Sequence, residues 1–289
     1  MKTRLSIQGR HYLEGYLFVA PWLIGFFIFM ANPLLKSLVY SFQELKVTAA
    51  GLEGTYVGLK NYLFAFTVDV NFLPYLWQTF TYLLVVIPVC TIFALASALI
   101  LNKPMYGRSL FRAIFFLPVI IASGVVLQKM MDQQASRHLF YDEGLFDTLN
   151  LIIPTYILFP ILGSMDVITF IMWQSGVQIL IFLAGLQTIS PSLYEAAQCD
   201  GATRWESFWK ITLPMIVPMI FVNILFTIVH TFTAADNVMM DHIRWYVLQS
   251  NYGYSAAMGW LYFLVCFAVI GFVFFLFRNS NLSLDERKV

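Results

Sequence analysis

Long apolar runs separated by short polar connections constrain this chain more than any other feature of its sequence. A helix needs about 20 apolar residues to cross the hydrocarbon core of a bilayer, and runs of that length recur along the 289 residues. Of these residues 60% are hydrophobic and 11% are charged, whereas soluble domains carry roughly 25% charged residues. The sequence therefore predicts a membrane protein that forms one domain over residues 1–289.

Six spans are predicted, and all of them must be α-helical. In hydrocarbon the backbone has to satisfy its own hydrogen bonds, and the runs lack the alternation that a barrel strand requires. The predicted fold class is an all-α membrane protein with six transmembrane helices. The spans lie near residues 14–42, 72–101, 109–131, 165–187, 214–235 and 255–277.

The distribution of lysine and arginine predicts the orientation of these helices. On the six-span prediction, eleven of the 17 basic residues fall on the side that holds both termini and residues 188–213. Cytoplasmic loops carry an excess of lysine and arginine, so this side is predicted to be cytoplasmic. The eleven residues are Lys2, Arg4, Arg10, Lys103, Arg108, Arg112, Arg204, Lys210, Arg278, Arg287 and Lys288.

The loop at residues 188–213 carries the most specific local signals in the chain. Ser190 can cap a helix that has Pro191 at its first position, or Ser192 can cap a helix with Glu195 three residues further on. Both alternatives predict a short helix at the start of this loop.

The same loop contains the end of that helix and the start of another. Gly201 suits the left-handed residue that ends a helix, and Thr203 with Glu206 forms a capping-box pattern that begins a second one. A first helix of two or three turns is not stable alone in water, so we expect it to dock into a partner's groove. Its small and acidic side chains suit such docking: Glu195, Ala196, Ala197 and Asp200.

The spacing of this loop resembles a known family. Glu195-Ala196-Ala197, three residues, Gly201, nine residues, Ile211, one residue and Leu213-Pro214 is similar to the EAA loop of bacterial ABC importer permeases. The likeness to the sugar-type branch runs along nearly the whole chain, for example at Gly58-Leu-Lys-Asn-Tyr62. The resemblance implies a short cytoplasmic coupling helix that docks an ATPase through Glu195, Ala196, Ala197, Asp200, Gly201, Ile211, Leu213 and Pro214.

The resemblance also implies a function. The chain would be a non-catalytic permease subunit in a bacterial inner membrane, with a second, different permease subunit forming the other half of the path. Two ATPase subunits or domains would bind ATP and Mg, and an extracellular solute-binding protein would deliver a sugar or oligosaccharide. The resemblance implies no cofactor in this chain and no nucleic acid partner. Membrane lipid would surround the helices.

One element of the sugar-type branch is missing from the chain. Members often carry Thr-x-Gly-Gly-Pro after the fifth span, whereas residues 233–241 contain no glycine or proline. The resemblance therefore leaves the ligand open, and an importer of a different polar solute is the alternative.

Polar side chains recur at helical spacing in two predicted spans. Such groups in a bilayer face a protein interior or a water-filled path, and amide and aromatic groups suit sugar hydroxyls and ring faces. They can equally serve only to hydrogen-bond neighbouring helices. The residues are Trp173, Gln174 and Gln178 in the fourth span and Asn223, Thr227, His230 and Thr231 in the fifth.

Other functional classes lack the residues that they need. The four histidines show no metal-ligand spacing, and no acidic, histidine or nucleophile cluster suits a membrane-embedded enzyme such as a lipid-modifying transferase. An ion-coupled secondary transporter would need intramembrane carboxylates or broken helices at matching positions of two halves. No aspartate or glutamate lies well inside a predicted span, so neither a catalytic nor a metal site is predicted.

Overall fold

A computed structural model describes residues 7–48, 51–103, 175–234 and 237–285, together with the single residues 106 and 171. These residues divide into two units, one within Met1–Trp77 and Val238–Val265 and the other within Gln78–Asn237 and Cys266–Val289. The predicted span at 109–131 and the first part of the span at 165–187 lie outside the described residues.

The described chain is mostly helical, as its sequence predicts. In chain order the helices are α1 (Ile7–Phe26), α2 (Asn32–Ser41), α3 (Lys60–Thr67), α4 (Phe72–Asn102), α5 (Ser175–Gln187), α6 (Pro191–Cys199), α7 (Arg204–Ser207), α8 (Leu213–Thr233), α9 (Val238–Leu248) and α10 (Tyr252–Asp285). Two five-residue π-helical segments, Phe27–Ala31 and Phe208–Thr212, join α1 to α2 and α7 to α8.

Within the described residues, four helical stretches are long and apolar enough to cross a membrane. A fifth span is present if α5 and α6, which are bent by 62° at their junction, count as one. These stretches overlap five of the six predicted spans, and the remaining prediction is the one outside the described residues. The four stretches are Glu14–Ser41, Phe72–Asn102, Arg204–Leu248 and Tyr252–Arg278.

Each π-helical segment ends two residues before a proline. A proline ring clashes with the carbonyl four residues earlier in an α-helix. For Pro33 that carbonyl belongs to Phe29, and for Pro214 it belongs to Lys210, so each lies inside a π-helical segment. The wider turn relieves the clash, which lets the helical path continue into α2 and α8.

An antiparallel hairpin follows α2 and corrects the prediction of an all-α chain. Strands β1 (Gln43–Thr48) and β2 (Gly51–Tyr56) pair in register from Gln43 with Tyr56 to Thr48 with Gly51. The alternation of polar with apolar residues around Leu45 and Val47 is a strand signal. This alternation contains only two apolar residues, so the sequence alone does not distinguish the strand from a polar loop.

Side-chain hydrogen bonds and one close backbone approach hold the hairpin in the first unit. The side-chain amide of Asn61 donates to the carbonyls of Ser41 at 3.0 Å and Gln43 at 2.9 Å. The hydroxyls of Ser41 and Tyr62 lie 2.7 Å apart. A Cβ atom at Gly253 would stand 2.0 Å from the Gln43 carbonyl oxygen, so α10 can approach β1 this closely only with a glycine there.

A buried carboxylate joins three parts of the same unit. Oδ2 of Asp69 accepts hydrogen bonds from the Tyr254 hydroxyl at 2.6 Å and from Nε2 of His242 at 2.8 Å. Its Oδ1 accepts from the backbone N–H groups of Asn71 and Phe72. Burial alone would raise the pKa of Asp69, but the hydrogen bonds from Tyr254, His242 and Asn71 outweigh it and hold the pKa below its ordinary value.

The second unit is built around an apolar cluster shared by α4, α5 and α8. Small residues let these helices approach closely, as is usual for helix contacts in membranes. A Cβ atom at Gly185 would meet Cγ of Met219 at 2.4 Å, which places α5 directly against α8. The buried members are Ala94, Ala98, Leu101, Ile179, Phe182, Leu183, Leu186, Ile189 and Ile216.

Candidate functional site

The short helix predicted at the start of the 188–213 loop is α6, and its N-terminus follows the first of the two capping alternatives. Ser190 is the extended N-cap residue and Pro191 takes the first helical position. The Ser190 hydroxyl does not bond to the helix backbone and lies 2.7 Å from the hydroxyl of Ser192. The fixed φ of proline thus begins the helix without a side-chain cap.

The chain leaves α6 through a turn at Gly201, the residue predicted to end this helix. Gly201 has a φ of +81°, and its N–H donates to the carbonyl of Gln198 at 3.0 Å. The N–H of Ala202 donates to the carbonyl of Ala197 at 2.9 Å. This pair of bonds is a Schellman motif, which satisfies the last carbonyls of the helix and turns the chain sharply.

The predicted capping box begins α7. The Thr203 hydroxyl accepts from the N–H of Glu206 at 3.2 Å, and the Glu206 carboxylate accepts from the N–H of Thr203 at 2.9 Å. The π-helical segment and α8 then follow in one helical path. The chain between α6 and α8 therefore has a defined path, because its termini are capped on both sides of the turn.

Tyr194 fastens α6 to the helical path that leads into α8. Its hydroxyl lies 2.9 Å from Oγ1 of Thr212, whose side chain is buried. The Tyr194 ring also packs on the apolar cluster of the second unit. Sequence reasoning did not identify Tyr194, although Tyr194 and Ala197 stand three positions apart, the spacing of an inward-facing helical stripe.

Six of the eight residues predicted to dock an ATPase form an exposed group and an inward pair. Exposed residues of α6 and its C-terminal turn form the outward group, Glu195, Ala196, Asp200 and Gly201, while Ala197 is partly buried. Ile211 and Leu213 pack against the apolar cluster instead, and Pro214 is exposed in the first turn of α8. The first group presents a surface, and the inward pair anchors it.

The polar stripes of α5 and α8 meet inside the second unit. Nε2 of Gln178 donates to Oγ1 of Thr227 at 2.6 Å, and that hydroxyl donates to the carbonyl of Asn223 at 2.8 Å. These side chains and that of Thr231 are at most 2% exposed. These four side chains therefore face the interior of the unit, which is compatible both with a substrate path and with hydrogen bonding that only joins the helices.

Several polar atoms in this buried group have no hydrogen-bond partner among the described residues. They are Oε1 of Gln178, both amide atoms of Asn223 and Oγ1 of Thr231. A buried polar atom without a partner costs about 1–3 kcal/mol. The group therefore has unused capacity to bind water or a polar ligand.

The remaining predicted members of the stripes are placed differently. His230 has an exposed side chain and stacks on Phe226 with ring centroids 5.7 Å apart. Trp173 and Gln174 lie outside the described residues. Among the described residues, no group of three or more histidine, cysteine, aspartate or glutamate side chains could hold a metal ion.

Comparison with known proteins assigns the sequence of this chain to a family. The sequence signature described as "Binding-protein-dependent transport system inner membrane component" matches residues 59–288. The chain is 34% identical to the probable ABC transporter permease protein YesP of Bacillus subtilis, over 97% of this chain and 94% of that protein. It is 30% identical to the lactose transport system permease protein LacF of Rhizobium radiobacter, over 82% of this chain and 78% of that protein.

A solved structure has the same fold. It is the crystal structure of a bacterial alginate ABC transporter in complex with a periplasmic protein that carries an alginate pentasaccharide. One of its chains superposes with a TM-score of 0.64, at 23% sequence identity, over 93% of this chain and 95% of that chain.

Proposed function

The chain belongs to the family of inner membrane components of binding-protein-dependent transport systems, and we propose that it forms half of the membrane path by which such a system imports a sugar or oligosaccharide. Membership makes it a multi-pass permease subunit of an ABC importer that catalyses no reaction itself. LacF, whose name assigns it to lactose transport, supports the choice of a saccharide, as does the likeness to the sugar-type branch.

The proposed complex contains a second, different permease subunit, two ATPase subunits or domains and an extracellular solute-binding protein. The ATPases bind ATP and Mg, and this chain needs no cofactor. Both termini and residues 188–213 face the cytoplasm, where the excess of lysine and arginine falls, and the chain crosses the inner membrane six times as a single domain.

One observation carries the coupling role: α6 has an exposed face and an anchored face. Glu195 and Asp200 are exposed, while Tyr194 on the inner side is bonded to Thr212 just before α8. A partner that moves α6 must also move the start of α8, because capped turns and packed apolar side chains connect the two helices tightly. We infer that ATPase closure is transmitted in this way to the transport path.

A matched pair of variants tests the coupling role in the assembled importer. Gly201→Val forces a β-branched residue into a φ of +81°, which costs about 1–3 kcal/mol, and Glu195→Ala removes an exposed charge from α6. Each is expected to release the ATPase during purification, or to permit ATP hydrolysis without uptake, while the helices stay folded. Glu53→Ala, an exposed position on β2, serves as the control. If both Gly201→Val and Glu195→Ala support normal ATP-coupled uptake, the docking role is wrong.

The buried polar group of α5 and α8 is the proposed lining of the path. Its unpartnered amide and hydroxyl oxygens offer the hydrogen bonds that sugar hydroxyls need. Asn223→Ala and Gln178→Ala should therefore change which saccharides are taken up while expression and assembly stay normal. If uptake of every tested saccharide is the same as for the unmodified chain, these residues only join helices.

A further inference from the structure

A cleft in the first unit shares no residue with the loop at 188–213 or with the buried polar group of α5 and α8. It has a volume of about 360 Å³ and is lined by Asn71 and Tyr75 at the start of α4 and by four residues of α9. Small-molecule sites commonly occupy about 300–1,000 Å³, so the cleft is large enough for a small ligand. The α9 residues are Val238, Asp241, His242 and Trp245, at positions i, i+3, i+4 and i+7 of one helix face.

The floor of the cleft is held rigidly. His242 is 8% exposed at its side chain and is bonded through Nε2 to Asp69. Its ring meets the Tyr75 ring edge to face at 5.1 Å and lies parallel to the Trp245 ring at 6.4 Å. Because the buried carboxylate orients His242, the histidine ring gives both aromatic rings a fixed neighbour, which lowers the entropy cost of ordering them around a ligand.

The chemistry of the lining favours a neutral sugar ring. Trp245 is 49% exposed, and the negative face of an aromatic ring attracts the slightly positive C–H groups on a sugar face. The amide of Asn71 can donate to hydroxyls and accept from them, and the carboxylate of Asp241 can accept from them.

The charges around the cleft disfavour ionic ligands. None of the six lining residues is a lysine or an arginine, and the Arg244 guanidinium beside the cleft is bound to Asp241, so the lining offers no cation to an acidic sugar. Asp241 is already paired with Arg244 at 3.1 Å, so a quaternary ammonium ion, the other usual ligand of aromatic clefts, finds no unneutralised carboxylate.

We propose that this cleft is a saccharide subsite, in which one neutral sugar ring lies against Trp245 with its hydroxyls on Asn71 and Asp241. The subsite rests on the proposed function. In the proposed six-span topology α9 follows the fifth span and is therefore on the outer side, where the cleft would receive the saccharide before it enters the membrane path. It adds a second place of sugar contact in the same chain.

The test measures saccharide binding to the full chain in lipid nanodiscs by calorimetry. Lactose, trehalose, maltotriose and arabinotriose are the neutral probes, with trigalacturonate as the acidic probe and tetramethylammonium as the cationic one. Trp245→Ala should weaken neutral saccharide binding about tenfold, which corresponds to ~1.4 kcal/mol. Trp77→Ala, at an exposed tryptophan on α4 outside the cleft, should leave the Kd unchanged.

A second variant keeps the test valid if Trp245→Ala fails to fold. Asn71→Ala removes an exposed side chain but retains the backbone N–H that donates to Asp69, and it should also weaken binding. The subsite is overturned if the unmodified chain binds no neutral probe, if it binds only trigalacturonate or tetramethylammonium, or if the folded cleft variants bind as tightly as the unmodified chain.

Uptake by the assembled importer separates the two proposals. ATP-driven uptake of a neutral saccharide into proteoliposomes, together with unaltered binding by the cleft variants, overturns the subsite and leaves the proposed function standing. Absence of uptake for every saccharide in the panel overturns the proposed function itself.

Discussion

The hydroxyl of Tyr254 donates a 2.6 Å hydrogen bond to Oδ2 of Asp69, 185 positions earlier in the chain. The same oxygen accepts from His242 at 2.8 Å, and the Asp69 side chain is 3% exposed. One carboxylate thus joins the turn before α4 to α9 and α10. Because both donors would lose their partner together, the stability of the first unit should depend strongly on this residue.

Replacing that carboxylate tests the dependence. Asp69→Asn keeps the shape but removes the charge, and hydrogen bonds to charged groups contribute about 1.5–3 kcal/mol. We expect a lower Tm and faster hydrogen exchange of the amides in Val238–Leu248. Glu44→Gln is the control, because its ion pair with Lys60 at 3.2 Å is exposed and contributes at most about 1 kcal/mol. Equal Tm losses in the two variants would contradict the assignment.

The lowered pKa of Asp69 predicts that the stability of the first unit depends on pH in the acid range. The pKa of Asp69 in the folded protein lies below its ordinary value of 3.8, so its contribution to stability is fully present above that value. The contribution is lost as the pH falls through the lowered pKa, where the folded state must also bind the proton. The difference in Tm between the unmodified chain and Asp69→Asn should therefore shrink on acidification. A difference that stays constant down to about pH 2 would argue against it.

Two glycines of α10 should respond in opposite ways to alanine. At Gly253 the new methyl group would meet the Gln43 carbonyl oxygen at 2.0 Å. That oxygen cannot retreat without lengthening its 2.9 Å bond from Asn61, so overpacking should cost about 1–3 kcal/mol. At Gly259 no atom of the described residues lies within 4 Å of the new methyl group, and alanine should gain up to about 1 kcal/mol in helix propensity.

Thermal unfolding in detergent compares these two variants directly. Gly253→Ala should unfold at a lower temperature than the unmodified chain, and Gly259→Ala should unfold at an equal or higher temperature. A Gly253→Ala variant as stable as Gly259→Ala would show that α10 does not approach β1 as closely as the contact requires.

Tyr194→Phe should loosen the tie between α6 and α8 without unfolding either helix. The change removes the 2.9 Å bond to Thr212, a loss of about 0.5–1.5 kcal/mol, while the ring still packs on the apolar cluster. On the proposed function, more ATP should be hydrolysed for each solute imported, and the amides of Pro191–Cys199 should exchange faster. Tyr56→Phe, at a hydroxyl-bearing ring that is 78% exposed, is the control. An unchanged ratio of ATP to solute in Tyr194→Phe would rule out the tie as part of coupling.

Local signals in the sequence determined the helical spans and the capped turns. The span predicted at 72–101 is observed as Phe72–Asn102. One long apolar run determines both the length of this helix and its placement in the membrane. Gly201 and the capping box of Thr203 with Glu206 were also found from sequence. The two turns depend on hydrogen bonds between residues at most five positions apart, which a sequence displays directly.

Only the tertiary structure decided which distant residues meet. Nothing in the spacing of Asp69, His242 and Tyr254 indicates that they share hydrogen bonds, and the cleft beside Trp245 exists only because α9 packs next to the start of α4. A glycine near the start of a membrane-spanning helix is typical of close packing against another helix, yet the partner that Gly253 admits is the backbone of β1. Such contacts depend on the path of the chain through all the intervening helices, whereas hydropathy and capping depend on near neighbours alone.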